Sequence, residues 1–293
     1  MVFLSVSQPL CTSCGKRGAV YKRFTSGEKL CRLCLFRSVA KQVRKTIHYY
    51  KMLKKNDAVL YILRGDGIIL SVEAFAILHA AIKDLELVYN ILCPSNIVNC
   101  NAVEITLKNI TKDVVVNIVP VHYHLDVITK TFIHMLKYTE ALAAKIALEH
   151  NLDGVLTPLF RDEMVLLSIY GLLTVSKTVF GESMPVKYIE GIKVVRPFYH
   201  VVSTDVIYLA ITSALQELNS FYESSYKLFI GSDRFMAKAK EVLFRSPELM
   251  YSSARSVELM QSFITAGSTR CRICGSFSNR EICEYCESYS RFL

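Results

Sequence analysis

Two hydrophobic patterns alternate along most of the chain. Short runs of consecutive apolar residues, the mark of a buried strand, are followed by longer segments with apolar residues three and four apart, the mark of a helix with one buried face. Residues 57–63 predict a first strand, and residues 71–85 a helix with Ser71 as its cap and Glu73 in its first turn. A second strand is predicted over 86–92, a helix over 101–111, a fully buried valine-rich strand over 113–120, and a long amphipathic helix over 129–150. Residues 152–157, 161–177 and 192–196 continue the series as strand, helix and strand. Such alternation is built most economically from right-handed β-α-β units, giving an α/β fold with a doubly wound, mostly parallel sheet. Ligands of such sheets bind beyond the carboxyl ends of the strands.

Composition narrows the setting. With 293 residues, 52% of them hydrophobic, the chain can bury a sizeable core. Its longest uncharged apolar stretches, 164–176 and 206–216, are shorter than the roughly 20 residues a bilayer span needs, so no membrane partner is expected. The first ten residues carry neither a basic leader nor a long apolar region, so the expected location is the cytoplasm. The pattern divides the chain into an N-terminal module over 1–56, an α/β domain over 57–266 and a C-terminal module over 267–293.

Eight of the ten cysteines form four Cys-x-x-Cys pairs: Cys11 and Cys14, Cys31 and Cys34, Cys271 and Cys274, Cys283 and Cys286. Two intervening residues let both sulfurs of a pair face one ion. Two such pairs complete the four-thiolate set that structural zinc prefers, so two Zn2+ ions are expected. A glycine follows Cys14 and Cys274, where a knuckle turn needs unusual backbone angles. Disulfides, redox pairs and an iron–sulfur cluster are the alternatives that the sulfur count alone leaves open. Cys93 and Cys100 have no close partner in sequence and read most simply as buried thiols.

Charge is concentrated in one arm. Residues 11–55 carry thirteen Lys and Arg against one acid, Glu28, while the whole chain has a net charge of +9, so the remainder is net negative. Residues 32–55 read as a helix leaving the first knuckle, with Arg37, Lys41, Arg44, Lys45, Lys51, Lys54 and Lys55 interleaved with Phe36, His48, Tyr49 and Tyr50. That mixture suits phosphate backbones and stacking on unpaired bases, so the arm is expected to bind RNA through Arg37, Lys41, Arg44, Lys45 and Lys51. An ordinary solvated helix face is the plainer alternative. His122 and His124 alternate on an extended segment, but without a carboxylate or thiol beside them they read as a polar strand face.

The terminal Cys-x-x-Cys segments, the basic arm, the α/β pattern and Val195-Arg196-Pro197-Phe198 before an apolar helix together resemble the tRNA 2-thiouridine synthetases. These are PP-loop ATP pyrophosphatases of the TtuA type, and the resemblance spans essentially the full chain, most specifically from Cys271 to Cys286. It implies an adenine nucleotide alpha hydrolase-like fold of PP-loop type flanked by N- and C-terminal zinc ribbons. It also implies tRNA as a partner and a uridine oxygen replaced by sulfur after adenylation.

The family's Ser-Gly-Gly-Lys-Asp-Ser loop is replaced here by Arg64-Gly65-Asp66-Gly67-Ile68-Ile69, without lysine or a following serine. Residues 129–138 lack the family's middle Cys-x-x-Cys, and the later cysteine aligns with Phe221-Tyr222. Arg64, Gly65, Gly67 and Asp162 remain as a vestigial nucleotide site; Asp162 and Glu163 would either hold magnesium or favour the start of a helix. These losses argue against bound ATP with magnesium and against an iron–sulfur cluster. The resemblance therefore implies a non-catalytic scaffold of the thiolation pathway, partnered by tRNA and by an intact paralogous enzyme or a second copy. An active sulfurtransferase with a divergent loop, and a zinc-ribbon interaction module with no RNA role, remain the alternatives.

Overall fold

The computed structural model describes residues 9–23, 25–112, 114–213, 234–265 and 267–293. Its centre is a six-stranded sheet of β3 (Ala58–Ile62), β4 (Val88–Pro94), β5 (Val116–Val121), β6 (Gly154–Leu156), β7 (Val186–Ile189) and β8 (Ile192–Val195). The spatial order is β5-β4-β3-β6-β8-β7, with β7 antiparallel and every other pairing parallel. Strand order reverses between β3 and β6, which makes the crevice between their carboxyl ends the topological switch point.

The first core strand shows why the fold closes on both sides. Successive side chains of a strand point to opposite faces. Val59, Tyr61 and Leu63 pack with α1 (Arg32–Tyr49), α2 (Ile68–Ile82), α3 (Cys100–Thr111) and α8 (Ser203–Ile211), through Leu35, Val39, Phe75, Leu107 and Val206. Leu60 and Ile62 face the other layer, where α4 (Leu125–Ile128) and α5 (Phe132–Glu149) supply Ile128, Met135, Tyr138 and Ala147. The C-terminal cysteines belong to that second layer. A third cluster joins α6 (Arg161–Leu173) to α9 (Arg234–Arg245) and α10 (Pro247–Thr265) through Val165, Leu243 and Met250.

Several predicted elements shift. Helix α2 begins at Ile68 after Gly67, so Ser71 caps nothing and Glu73 lies inside the helix, buried, with Arg32 at 3.9 Å. The long helix predicted over 129–150 forms as α5 alone, starting at Phe132 because Thr131 caps it by accepting the His134 amide, and the short α4 precedes the predicted span. The helix predicted over 161–177 ends as α6 at Leu173, and a short α7 (Lys177–Phe180) capped by Ser176 follows. The basic helix stops at Tyr49, and Lys51 has a positive φ of 48°, so Lys54 and Lys55 leave the helix. Strand β5 is an edge strand, half open to water rather than fully buried. Strand β7 is not among the predicted strands; its signal is Glu190-Gly191, two residues with positive φ that close a tight hairpin into β8.

No described helix is long and apolar enough to cross a membrane.

Candidate functional site

Each end of the chain folds around one cysteine set by the same local route. In the N-terminal module the Cys11–Cys14 turn is closed by Gly15 N–H donating to the Cys11 carbonyl, and Cys11 N–H donates to Arg17. A hairpin of β1 (Tyr21–Lys22) and β2 (Lys29–Leu30) then delivers Cys31 to the N-cap of α1, with Cys34 in its first turn. The C-terminal module repeats the scheme. Gly275 N–H donates to Cys271, Cys271 N–H to Ser276, β9 (Thr269–Arg270) pairs with β10 (Phe277–Ser278), and Cys283 caps α11 (Glu284–Glu287). The two capping cysteines share nearly one conformation, φ −76°, ψ 159° for Cys31 and φ −76°, ψ 158° for Cys283.

The eight sulfurs gather as two sets of four, Cys11, Cys14, Cys31, Cys34 and Cys271, Cys274, Cys283, Cys286, with the ligand atoms of each set within 4.8 Å of one another. Cys274 Sγ stands 3.8 Å from Cys283 Sγ, the edge of a tetrahedron around one ion with metal–sulfur bonds of about 2.3 Å. All but Cys14 are buried. The donor chemistry and spacing fit a metal in both sets.

The glycines of the two knuckles differ in one testable respect. Gly15 and Gly275 both have positive φ, 61° and 67°, as the sequence pattern predicts. A Cβ on Gly15 would meet nothing within 4 Å, whereas one on Gly275 would run into the Tyr188 carbonyl oxygen. Gly15→Ala is expected to cost about 1 kcal/mol from backbone strain alone. Gly275→Ala should cost about 1–3 kcal/mol more, because the module must move off β7. Equal losses in urea denaturation would contradict the close docking.

Both modules are anchored to the α/β layers by buried charge. Tyr21 and Arg23 donate to the Asp205 carboxylate of α8 at 2.8 and 2.9 Å, and Arg23 reaches Glu28 and Ser38 as well. The C-terminal anchor is larger. Lys137 of α5 donates to Glu182 at 2.7 Å and to Cys274 Sγ at 3.3 Å. Lys187 of β7 pairs with Glu140 and Glu182, and Arg196 binds Glu140, Glu182 and two backbone carbonyls. Ser276 donates to Glu182 from the metal module itself. All five charged side chains are 0–3% exposed. Burial pushes the Glu182 carboxyl up, but Lys137, Lys187 and Arg196 together hold it well below the usual carboxylate range. In the sequence Arg196 stands out only within the Val195-Arg196-Pro197-Phe198 motif, and nothing there marks Lys137, Glu140, Glu182 or Lys187.

At the switch point the structure places Arg64, Gly65 and Gly67 on the loop between β3 and α2, as expected, but the crevice is filled from within. Arg64 is 4% exposed. Its Nε and Nη2 donate to Asp66, Nη1 and Nη2 donate to Glu163, and Nη1 also donates to the Pro158 carbonyl, at 2.5–2.9 Å. These five bonds use all five N–H groups of a guanidinium. Glu163 accepts in addition from the Phe160 amide at the start of α6. Burial opposes the charge on Arg64, and the Asp66 and Glu163 carboxylates outweigh it. Asp162 instead accepts from the Ser203 amide and hydroxyl at 2.8 and 2.7 Å, with Lys240 of α9 at 3.1 Å. Asp162 and Glu163 are therefore committed to different partners rather than converging on one ion. The position of Phe221 and Tyr222 lies outside the described residues.

On α1, Arg37, Lys41, Arg44, Lys45 and His48 recur at helical spacing as one exposed face, opposite the buried Leu35, Val39, Val43 and Ile47. Arg44 already pairs with Asp84 at 2.8 Å and donates to the Ala81 carbonyl. Tyr49 is 76% exposed, but Tyr50 is drawn inward to Glu258 and Tyr199. Lys51 is exposed beyond the helix end. An open groove of about 450 Å³ beside this helix is lined by Arg17, Arg32, Leu33 and Phe36. His122 is exposed, and His124 stacks on Phe292 at 4.2 Å.

Cys93 and Cys100, expected as separate thiols, are joined by a disulfide across seven residues. Their C-x6-C spacing carries no recognised signature. It is the tight return from β4 into α3 that brings them together.

No protein-family model matches the chain, and no curated protein is similar to it. Among solved structures, the U34-tRNA thiolase NcsA from Methanococcus maripaludis with its [4Fe-4S] cluster superposes with a TM-score of 0.65 at 18% identity. The match covers 98% of this chain and 97% of that one, so the fold is shared from end to end. Contrary to the expectation from the sequence, the cysteines missing at 129–138 and at Phe221-Tyr222 do not exclude an iron–sulfur cluster: a protein of the same fold carries one, and sets of four thiolates are ligands that such clusters take.

Proposed function

We propose that this chain is a tRNA-binding protein of the tRNA 2-thiolation pathway that holds two metal–thiolate centres and does not turn over ATP at its switch point. The end-to-end fold likeness to a U34-tRNA thiolase supports the pathway. The observation that carries the non-catalytic part is Arg64, whose five donors are spent on Asp66, Glu163 and Pro158 in the crevice where a nucleotide phosphate would need free donors. A triphosphate entering there would meet the Asp66 and Glu163 carboxylates, and their partner is already taken.

The basic face of α1 is the proposed RNA surface, with Arg37, Lys41, Lys45 and Lys51 meeting phosphates and Tyr49 free to stack. Arg44 contributes less because Asp84 neutralises it. The two sulfur sets hold zinc or an iron–sulfur cluster. Metal analysis separates these, since a cluster brings iron, labile sulfide and broad visible absorption, and zinc is colourless.

The test is calorimetric titration of the metal-loaded chain with magnesium ATP and, separately, with bulk tRNA. Binding of tRNA that weakens steeply with salt, with no heat from ATP, is expected. Reversing Lys41 and Lys45 to Glu should weaken tRNA binding at least about tenfold and reduce the salt slope by about two. ATP binding tighter than about 100 µM would overturn the non-catalytic reading. Absent tRNA binding would overturn the RNA role and leave a metal-ribbon protein that assembles with other proteins.

A further inference from the structure

The disulfide between Cys93 and Cys100 closes a loop of only seven residues, the short end of the range over which such bonds stabilise a fold. That short return is already pinned without it. Ser95 N–H donates to the Val121 carbonyl, Ile97 and Val98 N–H donate to the Pro94 carbonyl, and Asn96 exchanges two hydrogen bonds with the Tyr123 backbone at 2.8 and 3.0 Å. Asn99 then caps α3 by accepting from the Asn101 and Ala102 amides. Reduction would therefore leave two thiols still facing one another.

The two sulfurs are also unequal. Cys93, in β4, is 0% exposed and packed in the core, whereas Cys100 is partly exposed as the first residue of α3, a twelve-residue helix with no acidic residue in its first turn. A helix N-terminus favours the thiolate form, and here nothing in that turn repels it. A partly exposed cysteine backed by a sealed one suits thiol–disulfide exchange, whose rate depends on access to the attacked sulfur. It lies at the carboxyl end of β4, next to β3 and the Arg64 loop.

We propose that Cys93 and Cys100 form a thiol–disulfide exchange site whose substrates are small disulfides and thiols of the glutathione class. In the oxidising direction the Cys100 thiolate attacks one sulfur of the small disulfide. A Cys100 mixed disulfide forms, and the first small thiolate leaves and takes up a proton. That leaving thiolate or water removes the proton from Cys93, whose thiolate attacks the Cys100 sulfur, expels the second small thiolate and restores the Cys93–Cys100 bond. The chain's dithiol loses two electrons and one small disulfide becomes two thiols. Reduction by two small thiols runs the same steps backwards. The proposal is independent of any RNA role.

The experiment uses the full, metal-loaded chain with glutathione as probe. In the folded wild type, reduced glutathione should open the bond at a rate within about tenfold of that in the urea-unfolded chain, read by alkylation and peptide mass mapping. A slower rate than that overturns the proposal. After reduction and desalting, glutathione disulfide should leave a single stable glutathionyl group on Cys100 in Cys93→Ser. It should leave none on the wild type, where Cys93 expels it. A Cys93→Ser chain that folds and stays unmodified at Cys100 would overturn the proposal, and the wild-type rates decide it should that variant fail to fold.

Discussion

Replacing Cys274 by serine is expected to remove the metal of the C-terminal set and unfold its module, with loss of cooperative melting in the layer beneath. Structural zinc in small modules contributes on the order of 10 kcal/mol of binding free energy that is at the same time folding free energy. Here the module has no separate core to fall back on, because Cys271, Cys274, Cys283 and Cys286 share a hydrophobic cluster with Leu60, Ile62 and Val155 of the central sheet. The electrostatics add to the effect. Three buried cations, Lys137, Lys187 and Arg196, face two buried carboxylates, Glu140 and Glu182, leaving one positive charge over. Four thiolates around a divalent ion carry two negative charges, and Lys137 touches them at Cys274. Loss of the metal protonates the thiols and leaves that surplus cation in the interior without a counter-charge. Metal content by elemental analysis, together with thermal melts by circular dichroism, reads the result. Unchanged stoichiometry and melting would sink the assignment.

The second large effect is expected at Arg196. Changing it to methionine keeps most of the side-chain volume but leaves Glu140 and Glu182 with Lys187 as the one cation they still share, and two backbone carbonyls without the Arg196 donor. Breaking a buried pair from one side costs about 3–5 kcal/mol, a large part of the 5–15 kcal/mol that holds an ordinary domain together. Denaturant midpoints would show it. The double change Arg196→Met with Glu140→Gln should recover part of the loss, because it removes one of the stranded charges; no recovery would mean that the network acts through packing alone.

The contrast between what the chain pattern revealed and what it hid has physical causes. Cysteine pairs and the glycines after them were legible because a metal knuckle constrains sequence within a few residues. The sheet was legible because consecutive apolar runs such as Val59 to Leu63 are hard to explain otherwise. The filled crevice was half legible: the missing lysine of the loop could be seen, but that Arg64 turns back to Glu163, 99 positions later, depends on β3 and β6 being neighbours. The buried charges were invisible for the opposite reason. Lys137 and Glu140 sit in a helix where polar residues read as its wet face, and only the arrival of β7 and the C-terminal module covers that face. The Cys93–Cys100 bond escaped notice because neither spacing nor composition marks it.

The contact between Gly275 and the Tyr188 carbonyl has a consequence for solubility. Strand β7 ends the sheet, and an unpaired strand edge is a template on which a second chain can add its own strand. The C-terminal knuckle lies against that edge, close enough that even a methyl group on Gly275 would not fit. The metal that holds the knuckle shut thereby also guards the margin of the sheet. A chain stripped of it would lose its fold locally and, at the same time, gain a surface for edge-to-edge strand pairing and precipitation.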